Sequence, residues 1–313
     1  MNNPNDHQDV IVIGAGPAGL TAAVYLARYR RNVLVVHDGN SRALRIPKTH
    51  NAPGFPDGIE GPDLIDRMTR HAKEFGTRIE EAEVISIERI TNGFRLTSKA
   101  GKHWSGRAVI LASGVRLNQV NLPHDVHEAT IGAGVLRYCP ICDGYEHIDR
   151  KIGVIGCDSD GAAEALFLRQ YSSDITLMPL SHPELSQKQA AEMANAGIVV
   201  KTGALTALEP HRDRMDVRLI DQEAPLSFDV IYPALGRQPR AELAQQIGVE
   251  LEEAGCVPAH AAKGSSVPGF FAAGDVVDGL DQISVAMGHG AVAATSAHNW
   301  LREQDRHTLQ TDD

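Results

Sequence analysis

Cys139-Pro140-Ile141-Cys142-Asp143 is the segment of this chain best suited to chemistry. Two thiols separated by two residues can meet on one helical turn and so open and close as a disulfide, and a helix N-terminus beside them would favour the nucleophilic thiolate. Asp143 adds a titratable group next to the pair. Cys-x-x-Cys is also half of a zinc knuckle, but Cys157 and Cys256 stand alone, and no second close pair or His-x-His completes a ligand set. Redox chemistry is the expectation, with no metal.

Such a pair needs something with which to exchange electrons, and the start of the chain reads as a nucleotide site. Val10-Ile11-Val12-Ile13 has the composition of a buried parallel strand, Gly14-Ala15-Gly16-Pro17-Ala18-Gly19 follows it, and an apolar helix runs from Leu20 to Ala27. This is G-x-G-x-x-G between a strand and a helix. Gly14 permits the tight turn, Gly16 lets a diphosphate reach the backbone, and Gly19 lets helix and strand approach, with the helix N-terminus facing the phosphates. The next strand, Val33 to Val36, ends at His37-Asp38, where an acid can accept a hydrogen bond from a ribose or serve as a turn residue before Gly39. Two more apolar strands end on small residues, Val109 to Gly114 and Gly269 to Val276. In the second, Gly274 allows close approach and Asp275 suits polyol hydroxyls. Together these segments point to a ligand longer than a bare dinucleotide.

At 313 residues the chain exceeds what one hydrophobic core usually supports, so two domains are expected. A net charge of −10 has the wrong sign for nucleic acid. No stretch approaches the roughly 18 apolar residues of a membrane helix, and Met1 to His7 lacks the basic-then-apolar pattern of a secretory leader, which makes a reducing cytoplasm the expected setting. One local basic stretch, Arg28, Arg30, Arg31, Arg42, Arg45 and Lys48, is either a solvated helix end and loop or a docking patch for an acidic partner. The polar composition after Trp300 predicts a disordered tail over Arg302 to Asp313.

Taken in order, Gly14-x-Gly16-x-x-Gly19, His50-Asn51-Ala52-Pro53-Gly54, Ile110-Leu111-Ala112-Ser113-Gly114, Cys139-x-x-Cys142-Asp143-Gly144, Ala273-Gly274-Asp275 and Asp281-Gln282-Ile283 resemble the low-molecular-weight thioredoxin reductases, FAD-dependent disulfide oxidoreductases. The resemblance runs from about residue 9 to about 302. It implies an α/β fold of two doubly wound, Rossmann-like domains: an FAD domain in two parts, 1–118 and 241–313, interrupted by a central nucleotide-domain-like insert, 119–240. It implies that Cys142 lies against the flavin, that Cys139 exchanges with the external disulfide, and that Asp143 moves the proton. Asn51 and the backbone at Gln282-Ile283 would contact the flavin ring, Ile283 near the start of a helix over Ser284 to Leu301 whose dipole favours the reduced anion. His289 on that helix is either a flavin contact or a surface histidine. Val84, Ala112 and Gly114 complete the implied FAD set, and a homodimer is implied as well.

The central domain is where the sequence departs from the family. The family binds NADPH there through a second glycine-rich turn and grips the 2′-phosphate with arginines after the next strand. Here the turn reads Gly156-Cys157-Asp158-Ser159-Asp160-Gly161, with Asp158 at the second-glycine place, and no Lys or Arg occurs from Gln170 to Gln187. A carboxylate opposes a diphosphate, and Met178-Pro179-Leu180-Ser181-His182 offers neither a 2′-phosphate grip nor a ribose acid. The helix Ala162 to Arg169 and the strands Ile198-Val199-Val200 and Val230-Ile231-Tyr232 predict that the scaffold itself is kept.

Three functions are consistent with these residues. The first is a thioredoxin reductase-like enzyme that moves electrons between FAD, the dithiol and a protein disulfide such as that of thioredoxin, without NAD(P)H, with a ferredoxin-like protein as a candidate donor. The second runs the chemistry backwards, forming disulfides in small dithiols and passing electrons from FAD to oxygen; Pro140 is in keeping with it. The third is a flavin-bearing redox sensor without turnover, against which the acid at Asp143 counts.

Overall fold

The computed structural model describes residues 7–309. The leader reading, on Met1 to His7, lies outside the described residues except for His7, as do the last four residues of the tail. The chain divides into two compact units: the described parts of Met1–Leu44, Gly61–Arg116 and Gln238–Asp313 form the first, and Arg45–Glu60 with Leu117–Arg237 form the second. Both have the expected α/β, doubly wound character.

In the first unit, parallel strands lie in the order Arg78–Glu81, Val33–His37, His7–Ile13, His103–Leu111. The hairpin Val84–Ile90 and Gly93–Ser98 joins the first half of His103–Leu111 antiparallel, and Phe270–Ala272 pairs parallel with its second half. Val10, Ile11, Val12, Leu34 and Val35 are fully buried, as continuous apolar runs are in a parallel sheet covered on both faces. One face carries the helices Pro17–Arg28 and Ile283–Gln304, seated through Ala22, Ala23, Ala293, Ala294 and Ala297. Their backbones come so close that a Cβ on Gly290 would lie 2.2 Å from the Ala18 carbonyl oxygen.

That last helix continues past Trp300 to Gln304, where disorder was expected. Its end is held by charge: Asp305, just beyond, pairs with Arg31 at 3.0 Å and with Arg107. A run of polar residues reads as tail in the sequence because the arginines that order it lie far away along the chain.

In the second unit, four parallel strands lie in the order Val199–Val200, Ile175–Met178, Ile152–Ile155, Val230–Pro233, beside a three-stranded antiparallel sheet of Leu205–Pro210, Met215–Leu219 and Leu226–Phe228. The segment ahead of the cysteines extends the parallel sheet by one position. Leu136 bridges Ile231 in parallel, the Ile231 amide donates to Val135 and the Arg137 amide donates to Ile231. This pairing sets Arg137 and the cysteines after it alongside Tyr232.

Candidate active site

Cys139 and Cys142 form a disulfide with Cα atoms 5.3 Å apart. Cys139 caps a single helical turn, Pro140–Asp143, which Pro140 opens with its fixed φ and its missing N–H. The turn is too short for the dipole support expected of a helix N-terminus. Asn51 donates from Nδ2 to the Ile141 carbonyl at 3.3 Å and accepts from Thr49 Oγ1 at 2.8 Å, so the His50-Asn51-Ala52 loop lies against the dithiol turn.

Asp143 is gripped on both oxygens. The Tyr232 hydroxyl donates to Oδ1 at 2.7 Å and Arg137 Nε lies 3.2 Å from Oδ2, an ion pair whose angle falls short of an aligned hydrogen bond. Burial pushes the Asp143 carboxyl up to about 6, and Glu146 adds to the rise, while the Arg137 charge and the Tyr232 hydrogen bond act in the opposite direction. Tyr232 is itself fully buried and its phenol is shifted far upward, by burial first and then by the Asp143 charge. His147, edge-on to the Tyr232 ring, is driven down to about 4 by burial and the nearby Arg137 and Arg150.

The first unit gathers Gly14, Ala15, Gly16, Pro17, Ala18, Gly19, Asp38, Val84, Ala112, Gly114, Gly274, Asp275, Gln282 and Ile283; the second holds Asn51, Cys139, Cys142 and Asp143. Gly14 turns at φ +110°, and a Cβ there would meet the Ala112 carbonyl oxygen at 2.2 Å, while one on Gly19 would meet the Gly14 carbonyl oxygen at 2.0 Å. No side chain caps the helix that starts after Gly16, nor the one that starts after Gln282. Two open helix N-termini in one unit suit a diphosphate and a second anionic group. His289 Nδ1 and Thr21 Oγ1, on those two helices, are buried with no hydrogen-bond partner among the described residues.

Two of the acids read as ligand groups already have cationic partners. Asp38 accepts from Arg240 at 2.6 Å and from the Asn40 amide. Burial alone would raise its pKa, but these contacts hold it below its ordinary value. Arg42 donates to Asp275 at 3.2 Å and to Asp281 at 3.4 Å.

The second glycine-rich turn repeats the first almost part for part. Gly156 turns at φ +121° with its amide on the Met178 carbonyl, as Gly14 is bonded to Val36. A Cβ on Gly156 would meet the Ala234 carbonyl oxygen at 2.4 Å, and one on Gly161 would meet the Gly156 carbonyl oxygen at 1.6 Å. The difference lies at the middle position. Asp158, in the same extended conformation as Gly16, accepts from the Gly161 amide at 2.9 Å and caps the helix Ser159–Leu168. Glu164, one turn on, is pushed up to about 7 by burial and then by Asp160 and Asp158. Of the strand's continuation, Met178 is buried and Leu180 is exposed.

The chain belongs to the pyridine nucleotide-disulphide oxidoreductase family, whose model matches residues 8–290. Thioredoxin reductase from Mycolicibacterium smegmatis is 33% identical over 97% of this chain and all of its own length. Among solved structures, HlmI superposes with a TM-score of 0.88 at 28% identity, covering 98% of this chain and 96% of that one. The thioredoxin reductase of Streptococcus pyogenes superposes at 0.87, covering 96% and 99%, and at 24% identity speaks for the fold. The protein is an FAD-dependent disulfide oxidoreductase of the thioredoxin reductase type. The open helix ends, the tight glycines and the orphaned His289 and Thr21 in the first unit fit FAD, which when bound supplies two-electron redox chemistry.

Tyr232, Arg137 and Arg240 escaped the sequence reading as partners of these acids, and Arg42 entered it only as part of a basic stretch. Only Tyr232 left a signal: a tyrosine inside the apolar strand Val230–Pro233 must find a partner for its hydroxyl. The three arginines are ordinary surface residues until the fold brings acids to them.

Proposed function

We propose that this protein exchanges electrons between FAD and the Cys139/Cys142 pair and on to a protein disulfide, thioredoxin being the first candidate, without using NADPH or NADH. Asp158 carries this reading. Its carboxylate occupies the helix-capping position that a diphosphate would need at the second glycine turn, and Asp160, in the first turn of the same helix, adds negative charge behind it. Cys139 is assigned the exchange with the external disulfide, Cys142 the side toward the flavin, and Asp143 the proton. Gly14 to Gly19, Asp38, Asn51, Val84, Ala112, Gly114, Gly274, Asp275, Gln282 and Ile283 are assigned to FAD. A homodimer is part of the proposal, and sedimentation tests it.

A ferredoxin-like donor belongs to the same reading, and the basic stretch is the surface that would meet it. Arg31 pairs with Asp305, Arg42 with Asp275 and Asp281, Arg45 with Glu128, and Arg28 lies over the Phe75 ring at 4.8 Å. Most of that charge is spent within the chain.

The reverse direction, oxidation of small dithiols with oxygen as acceptor, is favoured by one observation. With its carboxyl near 6, Asp143 is mostly ionised at neutral pH and so stands ready as a base for an incoming thiol. Anaerobic mixing of the holoenzyme with NADPH, NADH, reduced ferredoxin or dithiothreitol, followed at the flavin absorbance, tests both readings. Dithiothreitol or ferredoxin should bleach it and the nicotinamides should not. Rapid saturable bleaching by micromolar NADPH would overturn the proposal, and oxygen uptake driven by dithiothreitol would select the reverse direction.

A further inference from the structure

The Asp143 carboxyl is held by two groups that no motif of the chain announces. Tyr232 arrives on the strand Val230–Pro233, 89 residues after Asp143, and donates to Oδ1. Arg137 arrives on the segment that pairs with that same strand through Ile231, and reaches Oδ2. Two neighbours on one sheet thus close on the carboxyl from both oxygens. Tyr232 is 0% exposed, and the Arg137 and Asp143 side chains are each 17% exposed. A hydroxyl in such a place is not a solvated bystander.

We propose that Tyr232, with Arg137, is the positioning residue for Asp143, fixing the carboxyl in one orientation so that proton exchange with the dithiol passes through a preset oxygen. This rests on the assignment of Asp143 as the proton carrier. In the step concerned, the Cys139 S–H bond breaks, an O–H bond forms on Asp143, and no electron changes hands. The charged and titratable groups facing Asp143 are Arg137, Tyr232 and Glu146, with His147 against the Tyr232 ring. Glu164, on the helix packed against the dithiol turn, responds instead to Asp158 and Asp160.

Because a phenol that donates to a carboxylate stabilises its charged form, Tyr232→Phe should raise the Asp143 pKa by about one unit, the size of one charge-assisted hydrogen bond. The holoenzyme reduced with dithiothreitol and desalted anaerobically is mixed with 5,5′-dithiobis(2-nitrobenzoate) in a single turnover between about pH 5 and about pH 9. The wild type should show an acidic limb near the Asp143 pKa of about 6. In Tyr232→Phe that limb should move upward, making the reaction about fivefold slower at about pH 6 and unchanged at about pH 9. Arg137→Gln should move it the same way.

Asp143→Asn separates the two ideas. If it abolishes the limb while Tyr232→Phe, with normal FAD content and melting, leaves the limb in place, the positioning role is refuted and the proton carrier stands. If the limb persists in Asp143→Asn, the carrier assignment falls and the positioning role falls with it. A uniform slowing of Tyr232→Phe at every pH would mark the hydroxyl as structural and also refute the proposal.

Discussion

Asp158→Gly tests the reasoning about the second glycine turn most directly. The Asp158 carboxylate accepts from the Gly161 amide at 2.9 Å. A diphosphate oxygen seeking that amide would come within about 4 Å of the carboxylate, and at an effective dielectric of about 20 such a like-charge contact costs about 4 kcal/mol, nearly a thousandfold in affinity. Asp160, in the first turn of the same helix, adds to the penalty. Glycine is itself a fair helix cap, so Asp158→Gly should cost a few tenths of a kcal/mol, whereas Asp158→Ala should cost about 1 kcal/mol and lower the melting temperature by about 3 °C. Calorimetric titration with NADP⁺ at low salt should show no measurable binding to the wild type and weak binding to Asp158→Gly. NADPH should still reduce the flavin of that variant slowly, because no cation lies between Gln170 and Gln187. Arginines added through Pro179→Arg and Leu180→Arg should tighten the nucleotide further. Tight NADPH binding by the wild type would refute the electrostatic argument. An Asp158→Ala protein as stable as the wild type would refute the capping argument.

Glu164, carried up to about 7 from an ordinary 4.5, binds its proton more tightly in the folded than in the unfolded chain, so its contribution to stability is complete below about pH 4.5 and is lost as pH rises through about 7. Glu164→Gln should therefore stabilise by on the order of 2 kcal/mol at about pH 8 and by little at about pH 5; equal gains in melting temperature at both pH values would contradict this. Gly161→Ala, whose Cβ would lie 1.6 Å from the Gly156 carbonyl oxygen, should cost more than about 3 kcal/mol, whereas Gly288→Ala, in helix with nothing within 4 Å of its Cβ, should be neutral or gain about 0.5 kcal/mol; denaturant melts of the two would show a failure of either. Cys142→Ser leaves Cys139 to attack without a resolving thiol and should accumulate a mixed disulfide with thioredoxin, which non-reducing electrophoresis detects; accumulation in Cys139→Ser instead would exchange the two roles.

What the residues dictate by themselves is local. The turns at Gly14 to Gly19 and Gly156 to Gly161, the dithiol, and the loss of the middle glycine are legible because a strand, a tight turn and a helix follow one another within about twenty residues and each glycine answers to its immediate neighbours. Even the acid at Asp158 could be seen as wrong for a phosphate, although its capping bond to Gly161 took the structure to find. The rest depended on strand order. Tyr232 meets Asp143 across 89 residues, Arg240 meets Asp38 across 202, and Arg42 meets Asp275 across 233. Each is a polar side chain whose type admits many partners. Which one it takes is chosen only when parallel strands and their crossovers bring distant segments side by side, and burial then makes that pairing strong enough to shift the Asp143 carboxyl.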